Sequence, residues 1–149
     1  MAFSVDLLDG LARLIAGTAP EAFRYSPPGE TPTGAGPCEL HLDALPTTPD
    51  RAVALALYPV DTDSGHTTGT WGVQARIRGR PDSRKDVKDD GDMLATVLDN
   101  ARPEEVGGIP VVRVWLQSGA DLPTDENRRQ HVTRNYYITL TQSTPHRRD

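Results

Sequence analysis

Cys38 and His41 are the first residues whose types and spacing could do chemistry, because a C-x-x-H pair can supply two ligands to a metal ion. A structural zinc site needs four ligands. The other three histidines, His66, His131 and His146, fall in separate predicted loops or termini. We therefore predict no metal site, and we expect the thiol of Cys38, the one cysteine of the chain, to be buried and without a chemical role.

A second candidate lies in the segment VDTDSGH, where Ser64 and His66 accompany Asp61 and Asp63. These are the residue types of a hydrolytic triad, but triads are recognised by geometry, and no nucleophile-elbow motif surrounds this serine. A solvated loop is the favoured interpretation. A small hydrolase that depends on His66 remains the weakest functional alternative, and the sequence predicts that the protein is not an enzyme.

No cofactor site is predicted either. The glycines of GETPTGAGP and VGGIP lack the spacing, between a strand and a helix, of a phosphate-binding loop or a dinucleotide fingerprint. They are interpreted as turn residues. The aspartates of DVKDDGD lie on a predicted helix rather than in a calcium-binding loop.

The stretch QARIRGRPDSRKDVK, residues 74–88, raises the question of nucleic-acid binding because six of its side chains are basic. Over residues 74–92 the same six basic residues face five aspartates, which leaves a net charge of only +1. Aromatic residues for stacking on bases make up only 5% of the chain. A nucleic-acid adaptor that uses Arg76, Arg78 and Arg80 therefore stays an alternative and not the first choice.

Hydrophobic periodicity predicts the elements that position these residues. An amphipathic helix begins with Ser4 as its N-cap and stops at Gly17. A short strand is expected at Phe23–Tyr25, followed by strands at 38–42 and 51–60. The latter alternates Val53, Leu55 and Leu57 with three alanines and is expected in the centre of the sheet.

The remaining predicted elements are a strand over residues 71–80, a helix and two further strands. On the strand over 71–80, Gln74, Arg76, Arg78 and Arg80 share one face. Ser83 and Asp86 have the spacing of a capping box for the helix, which ends at Arg102-Pro103. Strands follow at 109–118 and 131–142, separated by a loop at 119–130 that is too long for a tight hairpin.

Together these elements predict an α+β fold with a mixed, mostly antiparallel sheet of about four to six strands and two helices packed on one face. The 149 residues form a single domain, with an irregular connector rich in proline and glycine at 18–37 and a mobile tail at 143–149. The net charge of −5 disfavours general attraction to DNA or anionic membranes. No segment reads as a signal peptide or a membrane span, so we expect a protein kept in the producing cell until assembly or lysis.

Four segments of this chain resemble the minor capsid or tail terminator (tail completion) proteins of long-tailed, siphovirus-type bacteriophages. They are DLLDGLARLIAG, RAVALALYPV, the block WGVQARIRGRPDSRKD with the helix end LATVLDNA, and DENRRQHVTRNYYITL. Within them, Gly72-Val73-Gln74, Arg76 to Gly79 and Asn135-Tyr136-Tyr137 carry most of the likeness. The order and spacing of these segments cover most of the chain, and the connector at 18–37 resembles the family least.

The resemblance implies a virion subunit that forms a ring, usually a hexamer, on the last ring of the tail tube. Such a ring stops tube growth and provides the surface for joining the head. Its partners would be copies of itself, the tail tube protein and a head-tail connector or neck protein, with DNA only passing through the channel. It would lie at the head-proximal end of the phage tail, after assembly in the host cytoplasm. Another neck or connector protein is the alternative.

For such a ring, the sequence yields a hypothesis about residues that face a neighbouring subunit or the channel. They come from the arginine-rich strand and from the predicted loop before the last strand: Gln74, Arg76, Arg78, Arg80, Asp125, Glu126, Arg128 and Arg129. The alternative for the arginines is that they are simply solvated.

Overall fold

The structure is a computed structural model that describes residues 3–61 and 69–140. Its elements, in chain order, are α1 (Phe3–Thr18), β1 (Phe23–Tyr25), β2 (Thr33–Gly34), β3 (Cys38–Leu42), β4 (Ala52–Asp61), β5 (Gly69–Pro81), α2 (Arg84–Leu98), β6 (Glu105–Val106), β7 (Ile109–Leu122) and β8 (Arg129–Leu140). The predicted triad segment and the predicted tail lie outside the described residues, apart from the backbone of Asp61. Neither helix of the described part is long and apolar enough to cross a membrane.

The eight strands form one mixed sheet in the order β2-β1-β3-β4-β5-β8-β7-β6. Only β1 with β3 and β3 with β4 pair in parallel, and the other pairs are antiparallel. Because β5 and β7 both pair antiparallel with β8, they run parallel to each other with β8 between them. The helix α2 therefore connects two parallel strands, as its length allows, although they are not neighbours.

Both helices pack on the same face of the sheet, as the sequence predicts. The core contains Leu7, Leu11 and Ile15 of α1 together with Leu94 and Leu98 of α2, all at most 1% exposed. The strand residues of this core alternate along the central strands, which places them on one side: Val53 and Leu55, Val73, Ala75 and Ile77, and Val132, Tyr136, Ile138 and Leu140. Truncating one of the buried leucines to alanine would cost about 2–5 kcal/mol.

Four charged side chains fix the first half of α2 to the sheet, and we call them the helix anchor: Arg51, Arg80, Asp86 and Asp90. Arg51 donates two hydrogen bonds of 2.9 Å to the carboxylate of Asp90. Arg80 donates two of 2.8 Å to Asp86, and its backbone N–H donates a third. Both carboxylates are only 2% exposed. Each is matched by a guanidinium, which removes most of the cost of burying its charge.

Gly79 provides the space for this anchor at the end of β5. A Cβ at this position would lie 2.8 Å from Cβ of Asp86 and 3.0 Å from the carbonyl oxygen of Ser83. Ser83 is the N-cap, as predicted, and its hydroxyl accepts from the N–H of Asp86. The carboxylate of Asp86, however, binds Arg80 instead of closing a capping box.

Several predicted boundaries are corrected by the structure. α1 already includes Ser4 and runs through Gly17, so neither residue caps or stops it. α2 ends at Leu98, before Arg102. The sheet has eight strands because β2 and β6, of two residues each, add to the predicted ones.

Half of the predicted loop at 119–130 is strand. β7 extends to Leu122 and β8 begins at Arg129, so only residues 123–128 connect them. We call this connection the β7–β8 turn. β3 and β4 pair in parallel through residues 43–51, although a connection of this length is also short enough for an antiparallel pair. We call this nine-residue connection the crossover.

Candidate partner-binding face

The side of the sheet opposite the helices is not covered by any helix of the described part, and we call it the open face. By strand register it carries the side chains that alternate with the core: Ala52, Ala54, Ala56 and Tyr58 of β4, Gln74, Arg76 and Arg78 of β5, His131, Thr133, Asn135 and Tyr137 of β8, and Trp115 of β7. Its character changes along the strands, from charged at one end to aromatic at the other.

At the charged end lies a concavity of about 460 Å³, which we call the basin. Its floor includes Ala54 and Ala56, whose small side chains leave the space open. One wall is formed by the crossover, through residues 43–45, and the other by Pro123 and Asp125 of the β7–β8 turn. The remaining lining consists of Gln74, Arg76, Arg78, Arg129 and His131. A cavity of this volume suits a small molecule or a few residues of a peptide.

Arg78 is a structural member of the basin. It is 4% exposed, and its guanidinium donates to the backbone carbonyls of Pro49 and Asp50 at 2.8 Å each. Burial, aided by the nearby positive charge of Arg129, lowers the pKa of Arg78. These bonds hold the crossover, which connects the parallel strands β3 and β4, against the open face.

Arg129 secures the same crossover from β8. It is 8% exposed and donates to Asp125 at 2.9 Å, to Asp50 at 3.1 Å and to the carbonyl of Thr47 at 3.2 Å. The two arginines therefore satisfy three backbone carbonyls of residues 47–50, which belong to no strand.

Asp125 organises the β7–β8 turn. Its carboxylate accepts from the backbone N–H groups of Asn127 at 2.9 Å and Arg129 at 3.0 Å. It also accepts from His131 Nε2 at 2.9 Å. Desolvation raises the pKa of Asp125, but these hydrogen bonds outweigh it and hold the pKa well below its usual value.

His131 connects the turn to Arg76. The Nε of Arg76 donates to His131 Nδ1 at 3.3 Å, which leaves Nε2 as the ring nitrogen that donates to Asp125. Arg76 itself is exposed. Among the described residues, its guanidinium has no carboxylate partner.

At the opposite end, the open face carries an aromatic cluster. The Trp115 and Tyr137 rings pack edge to face with centroids 5.7 Å apart, and the guanidinium of Arg113 lies 4.4 Å from the Trp115 centroid. The ring of Tyr58 lies across Gly72, where a Cβ would be 2.1 Å from that ring. All four side chains are partly exposed. Trp, Tyr and Arg are the residue types enriched in protein interfaces.

Of the eight residues in the interface hypothesis, the structure brings five together in the basin: Gln74, Arg76, Arg78, Asp125 and Arg129. The other three lie outside it. Arg80 is held by Asp86 on the helix side, because the strand register shifts between Arg78 and Pro81. Glu126 is exposed in the turn, and Arg128 pairs with Asp82 at 3.0 Å. Burial of Arg78 and Arg129 leaves Arg76 as the exposed cation of the five.

The sequence interpretation placed His131 at the start of the strand over 131–142 but gave it no role, and it missed the crossover as a wall. The alternation of Val132 with His131 and Thr133 was the available signal for the histidine. Cys38 is fully buried in the core, as predicted. His41 instead pairs with Glu39 at 2.6 Å, and within residues 3–61 and 69–140 no group of His, Cys, Asp and Glu is arranged to hold a metal ion.

The architecture defines an α+β domain with a mixed sheet, two helices on one face and an open opposite face. A chain in the virion of a native gene transfer agent particle shares this fold, with a TM-score of 0.52 and 12% sequence identity over 70% of this chain and 78% of that one. A second solved structure, with no stated function, matches with a TM-score of 0.54 and 14% identity over 95% and 99% of the two chains. No family model and no curated protein matches the sequence.

Proposed function

We propose that this protein is a structural subunit of a phage or phage-like virion, and more specifically a tail terminator. The observation that carries the proposal is the fold shared with a chain of a gene transfer agent virion over 70% of the sequence. The resemblance of four sequence segments to tail terminators, which includes the strand with Arg76, supports the finer assignment.

In this role, identical subunits close a ring, which we expect to be a hexamer, on the end of the tail tube. Ring closure needs two different surfaces of each subunit to meet. The open face supplies one suitable surface, because no helix of the described part covers it and it combines partly exposed Trp and Tyr side chains with an exposed arginine. The ring would bind the tube protein below and a neck protein above, at the head-proximal end of the tail, with no catalytic role.

The ring is tested by light scattering coupled to size exclusion, followed by electron microscopy of the protein alone and with tubes of the tail tube protein. A terminator is expected to give closed rings and to cap tubes so that they stop elongating. Tubes that elongate unchanged in the presence of excess protein would refute the terminator assignment.

A neck or head-tail connector protein is the second candidate, because the fold match points to a virion without a position in it. Removal of the gene distinguishes the two roles. Loss of a terminator produces tails of uncontrolled length, whereas loss of a neck protein produces tails of normal length that fail to join heads.

A further inference from the structure

From the hydrogen bonding of the basin, we propose that it binds a single carboxylate side chain presented by a protein partner, with Arg76 as its anchor. The partner's identity as a neighbouring virion subunit rests on the proposed function, but the binding chemistry does not.

Charge counting alone does not decide what the basin binds. Its three arginines, Arg76, Arg78 and Arg129, are balanced by the carboxylates of Asp43, Asp50 and Asp125 in or beside it. Hydrogen bonding distinguishes the three arginines, because both Asp50 and Asp125 bind the guanidinium of Arg129.

Two guanidiniums are therefore left without a carboxylate among the described residues. Arg78 is buried and satisfied by carbonyl oxygens. Arg76 donates only its Nε, to Nδ1 of His131, and its two terminal nitrogens have no described acceptor. A guanidinium with its terminal nitrogens open at the edge of a concavity has the geometry for a bidentate bond to a carboxylate or phosphate.

The acidic residues around the basin select between these anions. Asp43 is exposed on the crossover wall, and Asp125 lies on the opposite wall. Both would repel the closely spaced phosphates of a nucleic acid, whose binding requires a more uniformly positive surface. A single carboxylate on a peptide brings one charge to Arg76, and the N–H groups of the same peptide can donate to Asp43.

The size and shape of the basin agree with this ligand. About 460 Å³ accommodates two or three residues of an extended segment. The small side chains of Ala54 and Ala56 keep the floor low. Gln74 is held in place beside them by Asn135, to which its side-chain nitrogen donates at 3.4 Å.

The binding chemistry is tested on the full chain by NMR, with the peptide acetyl-Gly-Glu-Gly-amide as the probe and acetyl-Gly-Gln-Gly-amide as its uncharged match. We expect saturable shifts of the Arg76 Nε–H signal and the Ala54 and Ala56 amides with the Glu peptide only. Arg76→Glu should weaken this binding about tenfold or more. Arg84→Glu makes the same charge change on α2, at the opposite face of the sheet, and should leave it unchanged.

Three results would overturn the inference: no response to the Glu peptide, an equal response to the Gln peptide, or duplex DNA shifting the same signals at lower concentration. Assembly provides a separate measurement. If the wild-type chain forms rings and Arg76→Glu forms them equally well, the neighbouring ring subunit is refuted as the partner of the basin, while the terminator role stands. If Glu-peptide binding depends on Arg76 but no tube is capped, the carboxylate site stands and the terminator role is refuted.

Discussion

The helix anchor and the basin are two clusters of buried charge on opposite faces of one sheet, and they differ in how completely their charges are paired. In the helix anchor, Asp86 and Asp90 each meet a guanidinium in a two-pronged contact. In the basin, two carboxylates converge on Arg129, and Arg76 has no carboxylate partner among residues 3–61 and 69–140. Complete pairing is what a structural joint between a helix and a sheet requires. Incomplete pairing at an exposed concavity allows a guanidinium to bind a carboxylate of another protein.

The largest predicted effect is acid destabilisation, which compares the two clusters directly. The pKa of Asp86 is held well below its usual value by hydrogen bonds from Arg80, and that of Asp125 by His131 and the turn. Because both folded-state pKa values are depressed, the stabilisation is present above the unfolded value near 3.8 and is lost as the pH falls below it. We expect a loss on the order of 3 kcal/mol between pH 6 and pH 2, measured by urea unfolding.

The variants Asp86→Asn and Asp125→Asn divide this loss between the clusters. Each variant should reduce the loss of unfolding free energy between pH 6 and pH 2 by the part that its own carboxylate contributes. A profile that neither variant changes would show that other carboxyl groups control acid unfolding.

Asp90→Asn tests the helix anchor at neutral pH. It removes the bidentate partner of Arg51 and leaves that guanidinium with only the 3.6 Å contact to Asp86. Breaking such a buried pair from one side costs about 3 kcal/mol. Asp89→Asn is the matched control on the preceding residue of α2, where the exposed pair with Lys85 contributes less than about 0.5 kcal/mol. Equal urea midpoints for the two variants would contradict the structural role of the anchor.

Arg78→Gln tests the hydrogen bonds by which Arg78 holds the crossover. The shorter side chain cannot reach the carbonyls of Pro49 and Asp50, and leaving them without donors is expected to cost about 2 kcal/mol. Arg84→Gln, on the exposed side of α2, should change the free energy of unfolding by less than about 0.5 kcal/mol. If Arg78→Gln is as stable as its control, the arginine does not hold the crossover.

The smallest expected effect on stability belongs to Arg76→Gln. Because the side chain is exposed and has no carboxylate partner in the described part of the chain, its loss should change the free energy of unfolding by less than about 0.5 kcal/mol. A loss of more than about 1 kcal/mol in the free energy of unfolding would show that Arg76 is a structural residue like Arg78.

The sequence predicted the parts of this molecule that depend on local periodicity. Alternation along residues 51–60 correctly indicated a central strand, and the two predicted helices pack on one face of the sheet. Ser83 was recognised as an N-cap because capping depends on the next few residues.

The basin was only partly predictable because its contacts span long sequence separations. Alternation placed Arg76 and Arg78 on one face, but burial of Arg78 depends on a carbonyl 28 positions away, and that of Arg129 on one 82 positions away. Arg80 left the predicted face through a register shift that no local pattern indicates. Which arginine stays exposed is therefore decided by tertiary contacts and not by residue type.

The position of β8 between β5 and β7 has a consequence for how the chain folds during synthesis. Thr70 and Thr139, which face each other across β5 and β8, are 69 positions apart. Until β8 leaves the ribosome, β5 and β7 each present an unpaired edge at what will become the middle of the sheet. Such edges can pair with other chains, and contacts of this separation form slowly. Productive folding of this domain must therefore wait until nearly all of its described part has been translated.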